Sequence, residues 1–160
     1  MPATPPARDQ WIRGVQIGTS AWRQIVQADI DAFGALTDDL EPMHIDPEWC
    51  AAHSPVGRPI VYGFQTLALL TTLLRDATAG ALFSRVGEPG YPLNYGFDRV
   101  RFVSPVPVDA RVRAHFTLGE RRVRDDGMLM RFDVVVEIEG TDRPALTAQW
   151  WSLWVNTATP

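Results

Sequence analysis

The sequence has one cysteine, Cys50, in a chain of 160 residues. A single cysteine cannot form a disulfide within the chain, and it has no CxxC partner with which to bind zinc. Cys50 lies in a short apolar segment, where a thiol is usually packed and inert. We therefore expect neither a metal site nor a cysteine nucleophile.

Positive charge and long apolar runs are also scarce. The 15 basic residues are outnumbered by 19 acidic ones, which gives a net charge of −4. This balance disfavours binding to nucleic acid, because contacts to phosphates need a basic surface. The apolar stretch at residues 66–74 is too short to cross a bilayer, and the N-terminus lacks the apolar core of a signal peptide. We expect a cytoplasmic protein without a membrane span.

The length predicts a single domain, and no repeat, low-complexity block or linker divides the chain. Residues 1–10 are rich in proline, so we expect a flexible N-terminal tail there. Residues 11–157 would then form the single domain.

The first part of this domain combines short strands with a helix. Strand patterns at residues 11–17 and 22–26 precede a helical pattern at residues 27–36. The apolar stripe of this helix includes Ile30 and Phe33, with Leu36 as a further candidate.

An irregular segment with two prolines follows at residues 37–47, and we expect a loop there. Pro47 then opens a short helix to about Ala52. Residues 63–77 are apolar on nearly every side, which is typical of a buried helix. Gly80 is a suitable residue to stop this helix.

From Tyr95 onward, apolar residues recur at every second position, which predicts strands. The Asp125-Asp126-Gly127 segment is a hairpin signal, and Gly140-Thr141-Asp142 marks the next corner. Three such alternating segments end the chain, and each has one face that we expect to point into the core. The core positions are Val112, Ala114, Phe116 and Leu118 in the first segment, Met128, Met130, Phe132, Val134, Val136 and Ile138 in the second, and Leu146, Ala148, Trp150, Ser152 and Trp154 in the third. An antiparallel sheet with one apolar face can cover a helix. We predict an α+β domain in which a curved antiparallel sheet wraps around one long buried helix.

The last predicted strand also has apolar side chains on its second face, at Trp151, Leu153 and Val155. They would meet water unless another segment or a second subunit covered them. We therefore predict a homodimer.

The histidines differ in their surroundings. His115 lies on the polar face of a strand, and His53 lies near the end of a short helix, where it can interact with the helix terminus. His44 lies in the proline-rich segment, close to several carboxylates. A histidine near a carboxylate is suited to proton transfer at neutral pH, and catalytic groups gather on rigid loops. A histidine that only hydrogen-bonds the backbone of a turn would give the same pattern.

Three motifs in register resemble those of a known family. They are Asp39-x-x-Pro42-x-His44-x-Asp46-Pro47, then Arg58-Pro59-Ile60-Val61-Tyr62-Gly63-Phe64, and finally residues 94–102 with Pro105-Val106-Pro107-Val108. Together they resemble the MaoC-like, or (R)-specific enoyl-CoA hydratase, family, in its nodulation-protein-N-like branch. The resemblance covers roughly residues 20–155. It implies the hotdog fold, a sheet around one long helix, which the periodicities predict independently.

The resemblance implies a hydro-lyase that interconverts trans-2-enoyl-CoA and (R)-3-hydroxyacyl-CoA, with no cofactor. Asp39 and His44 would activate one water for addition to C3. The backbone N–H of Gly63, at the start of the buried helix, would polarise the thioester carbonyl. Glycine permits the close approach that this contact needs, although a glycine required only for packing would look the same.

The chain departs from the family pattern at Glu41, where Asn is usual, and at Tyr62, where His is usual. Glu41 places a second carboxylate near Asp39, and Tyr62 replaces a packing and hydrogen-bonding residue. Both are candidate substrate-binding residues because both changes affect the surroundings of the acid/base pair.

The substrate would be an acyl-CoA or acyl-carrier-protein thioester, both of which contain phosphate. Arg58, Arg99 and Arg101 are candidates for contacting it, and Arg99 and Arg101 share one face of a predicted strand. Two other functions remain open: a hotdog thioesterase, which would release free thiol, and a non-catalytic subunit that binds acyl thioesters. The acyl group itself is not predicted.

Overall fold

The computed structural model describes residues 12–80, 90–125 and 127–157. The strands are β1 (Gln16–Thr19), β2 (Arg23–Gln24), β3 (Gly90–Phe102), β4 (Arg111–Arg124), β5 (Gly127–Ile138) and β6 (Leu146–Asn156). The helices are α1 (Gln27–Thr37), α2 (Pro42–Ile45), α3 (Pro47–His53), α4 (Gly63–Ala68) and α5 (Leu70–Ala77). The predicted tail at residues 1–10 and the hairpin residue Asp126 lie outside the described residues.

The six strands form one antiparallel sheet in the order β1-β4-β5-β6-β3, and β2 also pairs with β4. Every residue predicted to face the core from β4, β5 and β6 is buried. Full burial of one large apolar side chain contributes about 1.5–3 kcal/mol, so these alternating faces supply most of the drive to fold. The predicted sheet over a helix is confirmed.

The predicted helix at residues 63–77 is interrupted once, at Leu69, which separates α4 from α5. Backbone hydrogen bonds continue across this point, since Leu69 N–H donates to Gln65 O at 3.1 Å and Leu73 N–H donates to Leu69 O at 2.9 Å. After α5, the N–H of Gly80 donates to Arg75 O and closes the helix end.

The prediction of burial on nearly every side of this helix is wrong for the single chain. The buried side carries Leu70, Leu73, Leu74 and Ala77. The opposite side is exposed at Phe64, Ala68 and Thr72, and Phe64 is 71% exposed. An apolar stripe therefore remains open on the helix.

The two N-terminal strands are shorter than predicted: β1 begins and ends later than residues 11–17, and β2 covers only two of residues 22–26. Ser20 lies between them, as predicted. Ser20 N–H donates to Ala114 O at 2.9 Å, and Ser20 Oγ accepts from Ala114 N–H at 3.0 Å. The side chain thus takes part in the pairing with β4. On α1, Ile30 is buried as predicted, whereas Leu36 is 83% exposed.

The segment predicted as a loop contains the one-turn helix α2. Pro42 occupies its first position, and Asp46 N–H donates to Pro42 O at 3.0 Å. Proline suits a first helical position because its missing N–H is not needed there. This turn fixes the orientation of His44.

The second face of β6 is partly covered by other residues of the same chain. Leu153 is buried, Trp151 and Val155 are half-buried, and the indole Nε1–H of Trp151 donates to Asp98 Oδ2 at 2.7 Å. The guanidinium groups of Arg122 and Arg131 lie over the Trp151 ring. This face therefore gives no reason to expect a homodimer.

Candidate functional site

His44 is 9% exposed, and its ring is held by one backbone contact. Its Nδ1 atom lies 2.6 Å from the carbonyl oxygen of Ile60. A carbonyl oxygen only accepts, so Nδ1 carries the hydrogen and the neutral ring has its lone pair on Nε2. The backbone is fixed as well, because Gln27 Nε2 donates to His44 O at 2.9 Å. His44 is thus arranged as a base at Nε2.

Asp39 follows the end of α1 and is half-buried. Asp38 ends the helix in the left-handed conformation, with a φ of 57°, which turns the chain toward α2. Asp39 N–H donates to Gly34 O at 3.2 Å, and Glu41 N–H donates to Asp39 Oδ1 at 3.4 Å. The first contact fixes the backbone of Asp39, and the second holds its carboxylate.

Tyr62 connects the two proposed acid/base residues. Its ring stacks on that of His44, with centroids 3.8 Å apart, and its hydroxyl donates to Asp39 O at 2.5 Å. Burial raises the pKa of Tyr62, and the nearby charges of Asp39 and Asp31 raise it further, so the hydroxyl stays protonated as a donor. Tyr62 lies behind His44 as a buried packing and hydrogen-bonding residue.

Gly63 is the first residue of α4, directly after Tyr62. No residue in the described ranges accepts a hydrogen bond from the Gly63 N–H. A Cβ at this position would meet the ring of Phe102 at 3.0 Å. The absence of a side chain therefore allows the Phe102 ring to lie directly against Gly63.

A cavity of about 300 Å³ brings His44 and Gly63 together. Its remaining lining is mostly apolar and consists of Ile60, Val61, Phe102, Val103, Ser104, Pro105 and Ala145. Sites for small molecules are commonly about 300–1,000 Å³ and mostly apolar, with a few polar groups. Asp39 and Tyr62 do not line this cavity.

Glu41 is exposed and precedes α2 as its N-cap residue. Within the described ranges, its carboxylate has no hydrogen bond or ion pair to another residue. It is two residues from Asp39, and its charge is free to meet a bound molecule.

The three candidate arginines are dispersed. Arg58 lines a second cavity of about 490 Å³, which shares Ser104 and Pro105 with the first. Arg99 lines a cavity on the opposite face of the sheet, and Arg101 Nη1 donates to its neighbouring carbonyl, Val100 O, at 2.8 Å. Only Arg58 among them is continuous with the cavity of His44.

The other reactive side chains have structural contacts. His53 Nδ1 lies 3.0 Å from Trp49 O, in the last turn of α3, and His115 Nε2 lies 2.7 Å from Glu137 Oε2. Burial raises the pKa of Cys50, the charge of Asp46 adds to this, and the thiol is therefore a poor nucleophile.

Two further residues of the site were not predicted from the sequence. The Ile60 carbonyl sets the His44 tautomer, and no local pattern marks such a distant backbone contact. Gly34 allows Tyr62 to reach Asp39, and an isolated glycine inside a helical pattern is a signal for this kind of packing.

Within residues 12–80, 90–125 and 127–157, no group of three metal-ligating side chains gathers. In the same ranges, no helix is long and apolar enough to span a membrane.

Comparison with known proteins points to one family. The family described as "MaoC like domain" matches residues 12–139. Nodulation protein N of Rhizobium meliloti (strain 1021) is 44% identical over 138 residues, which cover 86% of this chain and 83% of that protein. The 3-hydroxyacyl-thioester dehydratase Z of Mycobacterium tuberculosis (strain ATCC 25618 / H37Rv) is 36% identical over 137 residues, which cover 85% of this chain and 86% of that protein.

A solved structure shows the same fold. The (R)-hydratase from A. caviae involved in PHA biosynthesis superposes with a TM-score of 0.68 at 24% identity. The match covers 89% of this chain and 96% of that one. The sheet and helix described above are therefore a hotdog fold.

Proposed function

The chain belongs to the MaoC-like domain family, in its nodulation-protein-N-like branch, and we propose that it is an (R)-specific enoyl-thioester hydratase. The relatives include a dehydratase of 3-hydroxyacyl thioesters, which supports a lyase. The observation that carries the proposal is one cavity that brings together a fixed imidazole base and a backbone N–H, at His44 and Gly63.

In the proposed reaction, the thioester carbonyl of a trans-2-enoyl substrate accepts a hydrogen bond from Gly63 N–H. His44 Nε2 takes one proton from a water. Asp39 lies outside the cavity lining, and its proposed role is to accept the other hydrogen of that water when the water lies between the two side chains. The water oxygen forms a bond to C3, and the electron pair of the C2–C3 double bond moves toward the thioester oxygen. His44 then returns the proton to C2, so that the net change is addition of one water.

The two polar groups act on different parts of this reaction. A general base positioned by its own hydrogen bond contributes about 10²–10⁴-fold to the rate. A single donor to the developing oxyanion contributes about 3 kcal/mol, because charge accumulates on that oxygen only in the transition state. The mostly apolar lining lowers the local dielectric constant, which strengthens both interactions.

We also propose that Arg58 contacts the phosphates of the CoA or carrier-protein part of the substrate. The chain has no lysine, so arginine must meet any anionic ligand. The cavity lined by Arg58 and Arg143, and also by Glu139 and Asp142, adjoins that of His44 at Ser104 and Pro105. Arginine also matches the geometry of phosphate, to which it can donate two hydrogen bonds.

We further propose a homodimer joined through β3. This strand is at the edge of the sheet, and it exposes Tyr91, Leu93, Tyr95 and Phe97. An edge strand offers unpaired N–H and C=O groups to another strand, and an exposed apolar patch marks an association surface. A second copy that pairs with β3 would cover both features.

The reaction is tested with trans-2-butenoyl-CoA as the probe. We expect the absorbance of the conjugated thioester to fall, no free thiol to appear, and the product to be the (R)-3-hydroxy isomer. Thiol release without loss of the double bond would identify a thioesterase instead. Binding of the probe with neither change would identify a non-catalytic binding subunit.

A further inference from the structure

Tyr62 touches both members of the proposed acid/base pair without lining the cavity. It stacks on the ring of His44, and its hydroxyl donates to the backbone carbonyl of Asp39 at 2.5 Å. The next residue, Gly63, supplies the proposed oxyanion donor. One side chain thus joins all three proposed groups.

Gly34 provides the space for this contact. The residue is buried in α1, and an added Cβ would overlap the hydroxyl oxygen of Tyr62. The same Cβ would meet Asp39 O at 3.0 Å. Gly34 O also accepts from Asp39 N–H at 3.2 Å, so its backbone and its missing side chain fix the same loop residue.

We propose that Gly34 and Tyr62 are a matched pair of positioning residues that holds Asp39 and His44 in register for water activation. The inference rests on the proposed function. The Tyr62 ring sets the plane of the His44 imidazole. The Tyr62 hydroxyl sets the distance between the imidazole and the Asp39 backbone. A displacement of a catalytic group by about 1 Å can lower the reaction rate by about 100-fold. The contact between Tyr62 and Asp39 therefore affects the rate, although Tyr62 touches no substrate.

The proposal is tested by a double-mutant cycle with trans-2-butenoyl-CoA. Tyr62→Phe keeps the ring and removes the hydroxyl, and we expect kcat to fall about tenfold with KM within about twofold. Gly34→Ala forces the hydroxyl and the Asp39 carbonyl apart, and we expect a fall of about 100-fold in kcat. In the double variant the hydroxyl oxygen is gone, so the most severe overlap of the new methyl group is removed, while its 3.0 Å contact with Asp39 O remains.

The double variant should therefore be more active than Gly34→Ala alone. If the two substitutions acted independently, their fold-reductions in kcat would multiply. A double variant less active than both single variants would therefore overturn the proposal. The matched control is Thr66→Val, which removes a different buried hydroxyl, one that donates to Tyr62 O at 3.3 Å. It should lower stability and leave kcat within about twofold of wild type.

Nitrogen-15 NMR of the His44 imidazole in the ligand-free protein tests the same pair without activity. We expect Gly34→Ala to shift the Nδ1 and Nε2 signals and the double variant to bring them back toward wild type. If wild type does not hydrate the probe but this rescue is seen, the proposed function fails and the positioning pair stands. Unchanged His44 signals in Gly34→Ala would overturn the pair.

Discussion

His44 depends on one backbone contact for its proposed role. With Nδ1 donating to Ile60 O, the base is Nε2, and His44 lines the cavity that also contains Gly63. A histidine free to rotate would present either nitrogen to the substrate. The contact therefore selects one tautomer before the substrate binds, which is a form of preorganisation.

At the residue scale, we predict that Gly63→Ala lowers kcat/KM by about 100-fold or more. The added Cβ would lie 3.0 Å from the Phe102 ring, and we expect it to crowd the approach of the thioester oxygen to the N–H. Alanine is a better helix residue than glycine by about 1 kcal/mol, so the protein should stay folded. Kinetics and a thermal melt measure the two effects, and full activity would argue against a role for this N–H.

A second residue-scale prediction concerns the phosphates of the CoA part of the substrate. Arg58→Gln should raise KM for butenoyl-CoA by about tenfold, since one charge-assisted contact to phosphate is worth about 1.5–3 kcal/mol. KM for the butenoyl thioester of N-acetylcysteamine, which has no phosphate, should not change. Arg99→Gln is the control, because Arg99 lies on the opposite face of the sheet. Equal effects on both substrates would exclude phosphate recognition.

Some residues of the candidate site could be predicted from the sequence and others could not, for physical reasons. Asp39, His44 and Gly63 were predicted as site residues because they lie in motifs with fixed local spacing. The structure brings His44 and Gly63 to one cavity, with Asp39 joined to them through Tyr62. The Ile60 carbonyl and the Gly34 contact were not predicted, because both depend on approaches between segments far apart in the sequence.

At the scale of elements, β4 and β5 are joined on their outer face by a charged cluster. Arg113 donates to both carboxylate oxygens of Glu137, at 2.8 and 3.2 Å, and His115 Nε2 lies 2.7 Å from the same carboxylate. The hydrogen bond from Arg113 lowers the pKa of Glu137 most, and the bond from His115 lowers it further. The cluster thus links neighbouring strands in a pH-dependent way.

We predict that Glu137→Gln lowers the free energy of unfolding at pH 7 by about 0.5–1 kcal/mol, because the ion pair is partly exposed. A carboxyl with a lowered folded-state pKa stabilises above its ordinary pKa of 4.5 and loses this contribution as pH falls through the lowered value. The difference from wild type should therefore shrink below about pH 4.5. Urea unfolding between pH 3 and 7 measures it.

The control for this prediction is Glu139→Gln. Glu139 pairs with Arg111 at 3.1 Å, and both side chains are nearly half exposed. Its replacement should have a smaller effect on the free energy of unfolding at pH 7. Parallel stability curves for wild type and Glu137→Gln would contradict the assignment.

Prediction of the elements succeeded where periodicity was long. The alternation over β4, β5 and β6 specified which face is buried, since a shift by one residue would expose the whole apolar set. It failed for α2, a single turn with no room for a helical period, and for the ends of β1 and β2. There the backbone pairing passes through Ser20, a tertiary contact that no local pattern contains.

At the scale of the whole molecule, the exposed residues of β3 and the open side of α4 give the reason to expect a dimer. We predict that Leu93→Asp converts a dimer to a monomer, because a buried unpaired charge in an interface is strongly unfavourable. Sedimentation velocity measures the change. Val123→Asp is the control, since Val123 is 80% exposed on β4 and lies outside the proposed interface.

A wild-type protein that sediments as a monomer would contradict the proposed dimer, and so would a Leu93→Asp variant that remains dimeric. Neither result would alter the cavity of His44, which is formed within one chain.

The proposed water activation by Asp39 and His44 is tested most directly by the initial rate of hydration of butenoyl-CoA in matched variants. We predict that His44→Ala and Asp39→Asn each lose about 100-fold or more in kcat/KM. His53→Ala, which removes a histidine of α3, should retain the wild-type rate. Hydration by His44→Ala or Asp39→Asn at the wild-type rate would contradict the account.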